Sequence, residues 1–89
     1  MNRADAYSLL ARELSVYDAD GYERALELRD KPARTREVWI GDEPVTIEIC
    51  VTWADEKRRI LQVEGVAYGP SSFQLERVRA ALILAPGVV

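Results

Sequence analysis

The stretch that decides the fold runs from Arg36 to Tyr68 and reads REVWIGDEPVTIEICVTWADEKRRILQVEGVAY. Between positions 45 and 53, apolar residues occupy every second position, and mostly polar residues occupy the positions between them. The apolar set is Val45, Ile47, Ile49, Val51 and Trp53. Because successive side chains of a β-strand point to opposite faces, this spacing predicts a strand with one dry face and one wetter face.

Two further strands are predicted next to this central one. The first covers residues 37–40 and is joined to it by a turn at residues 41–44, which ends in a proline. The other covers residues 60–67 and follows a charged hairpin loop. Gly65 has no side chain on the inner face of that strand, so we expect a gap there, or room for a large neighbour such as Trp53.

The N-terminal part of the chain has the spacing of helices. Over residues 3–16 apolar side chains recur every three or four positions, which predicts an amphipathic helix lying on the dry face of the sheet. This stripe consists of Ala6, Leu9, Leu10, Leu14 and Tyr17. A second, shorter helix is expected after Asp20, because Asp20 and Glu23 match a capping box, and it should end before Pro32.

The C-terminal segment fits two structures. The run FQLERVRAALILA at positions 73–85 has helical spacing, and the pattern favours a helix. In the alternative, Phe73 and Leu75 alternate with Gln74 and Glu76 in a fourth strand, and a short helical turn follows near residues 79–82. The first version gives a long C-terminal helix, and the second ends in a short helical segment.

Together these elements predict a single α+β domain covering residues 1–89. In it, the N-terminal amphipathic helix and a short second helix pack on one face of an antiparallel sheet of three or four strands, and a short helical segment ends the chain.

Composition excludes several classes of function. The chain has 89 residues, of which 48% are hydrophobic and 30% charged, which is typical of one globular domain. A net charge of −3 disfavours binding to nucleic acid or to anionic membranes. The absence of histidine removes the commonest general base and most zinc sites, and one cysteine permits no internal disulfide. We therefore expect no cofactor and no metal.

The first residues, MNRADAYSLL, lack the apolar core of a signal peptide, and no apolar run is long enough for a membrane-spanning helix. We therefore expect a cytoplasmic protein.

A series of spaced residues runs through most of the chain. It comprises Tyr22, Glu23, Val45, Thr46, Ile47, Ile49, Val51, Trp53, Leu61, Val63, Gly65, Leu82, Ile83, Ala85 and Pro86. By these residues the chain resembles a family of short, uncharacterised bacterial proteins common in cyanobacteria and planctomycetes. That family has an aspartate directly after the tryptophan, whereas Ala54 stands here before Asp55. The resemblance implies a fourth strand at about residues 72–77, and no known activity, cofactor or catalytic residue.

Three polar constellations have simpler structural explanations. Residues 18–21 with Glu27 match part of a calcium loop, but the first ligand position would be Val16, which has no side-chain oxygen. The basic residues 57–59 adjoin two acidic ones and are typical of a solvated hairpin tip. Cys50 has no histidine to activate it, so we interpret it as a half-buried filler residue.

Three carboxylates fall on predicted strands, namely Glu37, Glu48 and Glu64. Paired carboxylates can serve as general acid and base. A polar sheet face is the simpler explanation, and a pocket between helix and sheet that contained two of them would favour an enzyme.

Trp39 is predicted to point away from the core, because its neighbours Val38 and Ile40 alternate with it. We expect it on the second face of the sheet, in a candidate interaction surface of Trp39, Ile60, Val66 and Tyr68. Alternatively, a loop or the C-terminal segment covers that surface.

The sequence thus favours a non-enzymatic interaction module that binds a protein partner or forms a homo-oligomer, through the second sheet face or an exposed strand edge. Immunity proteins and antitoxins are analogues in size and charge. The alternative is a small enzyme or ligand-binding protein that uses the sheet carboxylates.

Overall fold

A computed structural model describes residues 3–18, 21–69 and 77–86. These residues form helices α1 (Arg3–Ser15) and α2 (Tyr22–Leu28) and strands β1 (Arg34–Ile40), β2 (Glu43–Asp55), β3 (Ile60–Tyr68) and β4 (Arg77–Leu84). The four strands make one antiparallel sheet in the order β1-β2-β3-β4. The predicted α+β fold, with the N-terminal helix packed on an antiparallel sheet, is confirmed.

Strand β2 is one of the two inner strands of this sheet, and its burial follows the predicted alternation. Val45, Ile47, Ile49 and Val51 are buried, whereas Thr46, Glu48 and Cys50 between them are half-buried. The pairing of β2 with β3 is regular until Trp53, where the register shifts before Asp55. The strand is therefore longer than its apolar repeat, and it ends in a bulge at the hairpin loop.

Helix α1 lies over β3 and β4 and fills the gap at Gly65. A Cβ atom added to Gly65 would lie 3.0 Å from Leu10 Cδ2 and 3.2 Å from Ile49 Cδ1. Leu10 itself is fully buried. The missing side chain thus allows α1 to approach the sheet closely, and the expectation that Trp53 would use this space is wrong.

Trp53 lies instead at the hairpin end of β2, where helix α2 packs. The guanidinium carbons of Arg29 and Arg59 stand 4.9 and 5.3 Å from the centre of its indole ring. The hydroxyl of Tyr22, the first residue of α2, donates a hydrogen bond to the carbonyl oxygen of Arg59. These contacts attach α2 to the β2–β3 hairpin. The N-cap of α2 is Gly21, with no side-chain cap bond, and Asp20 is outside the described residues.

The C-terminal prediction needs correction, because residues 77–84 form a strand and not a helical segment. The inner side chains of β4 are Val78, Ala80, Leu82 and Leu84, and they face the inner residues of β3. The sequence RVRAALIL satisfies both periodicities, and pairing with β3 decides between them. The alternative fourth strand at residues 72–77 is outside the described residues except for Arg77, where β4 begins.

Candidate functional site

The sheet has an inner face, on which α1 and α2 pack, and an outer face, which carries no helix among the described residues. The pairing register places a mixed set of side chains on the outer face: Thr35, Glu37, Trp39, Thr46, Glu48, Cys50, Thr52, Gln62, Glu64, Val66, Tyr68, Arg77, Arg79, Ala81 and Ile83. Most of them are polar, so this face is compatible with water across much of its area.

The structure separates the four residues of the predicted interaction surface. Trp39 is 65% exposed on β1, opposite Pro44. Val66 is only 7% exposed, although it lies on the outer face. Ile60 and Tyr68 stand at opposite ends of β3, roughly 27 Å apart along the strand. Trp39 alone of these four residues is a large exposed apolar side chain, so the four do not form one patch.

The centre of the outer face is a network of paired polar groups. The hydroxyl of Tyr68 donates to Glu48 Oε1 at 2.8 Å. This hydrogen bond, together with burial, raises the pKa of Tyr68 above its ordinary value. The guanidinium of Arg77 lies 5.1 Å from the centre of the Tyr68 ring, and Arg79 forms an ion pair with Glu64 at 3.8 Å. These contacts join β2, β3 and β4 across the outer face.

The three sheet carboxylates all lie on the outer face, each opposite a different residue. Glu37 faces Thr46, Glu48 faces Thr35 and Val66, and Glu64 faces Cys50 and Ala81. Neither of the two cavities described below contains any of them. The described residues include no cluster of three or more metal-binding side chains, and Asp20 of the calcium-like sequence lies outside them.

The two edges of the sheet differ in chemistry. On β1, the inner-face positions opposite Ile49 and Ile47 are the exposed arginines Arg34 and Arg36. On β4, residues 80–84 read AALIL, with no charge, and Ile83 is 56% exposed. No described residue forms a strand against the outer edge of β4. The uncharged part of this edge, residues 80–84, is a template for pairing with another strand.

A shallow cavity of about 270 Å³ adjoins the β4 edge. It is lined by Ala11, Leu14, Ser15, Asp18, Ala80, Ala81 and Leu82. Most of these side chains are small, so another chain could approach this edge closely. This edge is not predicted from the sequence, because the pattern of the segment favours a helix. The signal that indicates a strand is the alternation of arginine with apolar residues at positions 77–80.

A second cavity, of about 330 Å³, lies on the inner face near β1. Its lining combines arginines with buried isoleucines, and it also went unnoticed in the sequence, since its walls come from three separate segments.

No protein-family model, curated protein or solved structure matches this chain. The resemblance to the uncharacterised bacterial family therefore stays a prediction. Within the described ranges, neither helix is long and apolar enough to cross a membrane.

Proposed function

We propose that this protein is a non-enzymatic interaction module whose β4 edge pairs with the β4 edge of a second copy. The observation that carries this proposal is the uncharged run at residues 80–84 on an edge that no described strand occupies. Natural sheets commonly protect their edges with charges, prolines or bulges, and β4 has only the charges of Arg77 and Arg79 at its N-terminal end and none over residues 80–84.

The register of such a pairing follows from symmetry. A two-fold axis perpendicular to the sheet keeps inner residues opposite inner residues. With the axis at Ala81, Arg79 faces Ile83 of the second copy, and Ala80 faces Leu82. This arrangement opposes no like charges along the strand, and it joins two four-stranded sheets into one of eight strands.

The groove between α1 and β4 supports the same surface. Ala11 and Ser15 leave space beside Ala81, so the helix does not obstruct a strand that approaches the edge. An exposed Ile83 would become covered in the dimer, which removes apolar surface from water. We further propose that the protein is cytoplasmic and bacterial. A strand of another protein is the alternative occupant of the β4 edge.

The test places a charge on this edge and a matched charge on the other. Ala81 and Thr35 are exposed outer-face residues of the two edge strands, and each lies opposite a glutamate of the neighbouring strand. Ala81→Lys is expected to abolish dimerisation, because the new ammonium group faces its own copy, or Arg79 if the axis lies at Ala80. Thr35→Lys, the control, should leave dimerisation unchanged.

Sedimentation velocity over a hundredfold concentration range gives the oligomeric state of the wild type and both variants. Circular dichroism confirms that the variants are folded. A wild type that sediments as one chain at every concentration would overturn the proposal, and so would equal effects of the two lysines.

A further inference from the structure

The helices leave part of the inner sheet face uncovered near β1, and a cleft of about 330 Å³ remains there. Its walls come from the end of α1, from α2 and from β1, and its floor comes from β2. The lining residues are Glu13, Val16, Tyr17, Arg24, Arg34, Thr35, Arg36, Ile47 and Ile49. This volume is at the lower end of the range for small-molecule sites, and it has room for roughly ten water molecules.

The charges around this cleft are unbalanced. Three guanidinium groups and one carboxylate line it, in a chain whose net charge is −3. Arg36 Nη1 donates to Glu13 Oε1 at 2.9 Å, so that pair is internally neutralised. Arg24 and Arg34 form no ion pair with any described residue. The cleft therefore has two arginines available to an anion.

The floor of the cleft is apolar. Ile47 and Ile49 are 1% and 9% exposed and belong to the hydrophobic core, and Tyr17 is also buried. The apolar side chain that the cleft exposes to water is Val16, which is 52% exposed, and a ligand with an apolar body would cover it. Guanidinium groups bind carboxylates through paired, charge-assisted hydrogen bonds.

We propose that this cleft binds a small organic carboxylate, with its apolar part on Val16 and its carboxylate on Arg24 and Arg34. Inward-pointing arginines on β1 also protect an edge strand from pairing. Edge protection explains Arg34 and Arg36, but it explains neither Arg24 on α2 nor a cavity between the elements. Glu13 competes with the ligand for Arg36.

The probe is 4-phenylbutyrate, titrated into the full chain by calorimetry and followed by the backbone amide shifts of Ile47 and Ile49. Two companion probes separate its features: 4-phenylbutanol has the same apolar body without the charge, and acetate has the charge without the body. The proposal expects 4-phenylbutyrate to bind at least tenfold more tightly than either.

Four variants locate the site. Arg34→Gln and Arg24→Gln should each weaken 4-phenylbutyrate binding at least tenfold. Because they are two separate variants, the test still holds if one of them does not fold. Arg58→Gln makes the same charge change at the exposed hairpin loop and should alter affinity less than twofold. Glu13→Gln should strengthen binding several-fold, because it releases Arg36.

Absence of saturable binding by 4-phenylbutyrate overturns the proposal. Equal binding of 4-phenylbutanol, or equal losses in Arg34→Gln and Arg58→Gln, also overturns it. These results are independent of dimerisation, which Ala81→Lys tests at the opposite edge of the sheet.

Discussion

Both edge strands of the sheet, β1 and β4, have unpaired backbone groups that another strand could bind, but they carry opposite kinds of side chain on the inner face. β1 carries Arg34 and Arg36 on the face where a core residue would normally stand, and among the described residues it packs mainly against β2. β4 carries alternating apolar residues on that face and lies under α1. A charged edge resists pairing and leaves a cleft, whereas an apolar edge completes the core and stays open to another strand. The position of α1 over β3 and β4 is thus what divides the sheet into a core half and a cleft half.

The largest expected effect concerns the contact between α1 and the core half of the sheet. Leu10→Ala should lower the free energy of unfolding by about 2–5 kcal/mol, because Leu10 is fully buried against Gly65 and Ile49. Leu9→Ala makes the same deletion at a half-buried position of the same helix and should cost about 1 kcal/mol. Urea unfolding measures both. Equal losses would mean that α1 does not pack through Leu10.

The next largest effect is expected from a double variant that makes the β1 edge resemble the β4 edge. Replacing both arginines, Arg34→Val with Arg36→Val, should change the stability of the single chain by less than about 1 kcal/mol, since both sites are exposed. It should nevertheless cause open-ended assembly, because a chain with two open edges can pair on both sides. Light scattering at increasing concentration detects this. Arg34→Lys with Arg36→Lys keeps the charges and should behave as the wild type.

The smallest effect concerns the outer-face network beside the β4 edge. The hydrogen bond to Glu48 raises the pKa of Tyr68, so the folded protein holds this proton more tightly than the unfolded chain. The resulting stability is fully present below about pH 10, the ordinary tyrosine pKa, and is lost as pH rises through the raised pKa. Urea unfolding of wild type and Tyr68→Phe on both sides of pH 10 measures it. The wild type should lose more stability than the variant, and parallel losses would contradict this assignment.

Local pattern predicted the parts of the fold where one periodicity dominates. The alternation from Val45 to Trp53 does not fit a helix, and the apolar stripe on α1 does not fit a strand. The segment 77–84 fits both because Ala80 and Ala81 suit either structure. Pairing with β3 decides the structure of this segment, because β4 pairs along its whole length with the edge that β3 would otherwise leave free. That edge exists only in the tertiary structure, so local sequence does not reveal it.

The functional surfaces were harder to predict for the same reason. Trp39 lies on the outer face as alternation requires, but the distance from Tyr68 to Ile60 along β3 keeps them from sharing a patch. The arginine cleft joins Arg24 on a helix to Arg34 on a strand, and only the packing of α2 relative to β1 brings them to one cavity.

The two tryptophans can serve as intrinsic fluorescence probes of two different parts of the sheet. Trp39 is exposed to solvent on the β1 edge, and Trp53 lies near the guanidinium groups of Arg29 and Arg59 at the far end of β2. An anionic quencher such as iodide is drawn towards the two guanidinium groups, whereas caesium is repelled from them. The ratio of the two quenching constants in single-tryptophan variants therefore reports separately on the integrity of each end of the sheet.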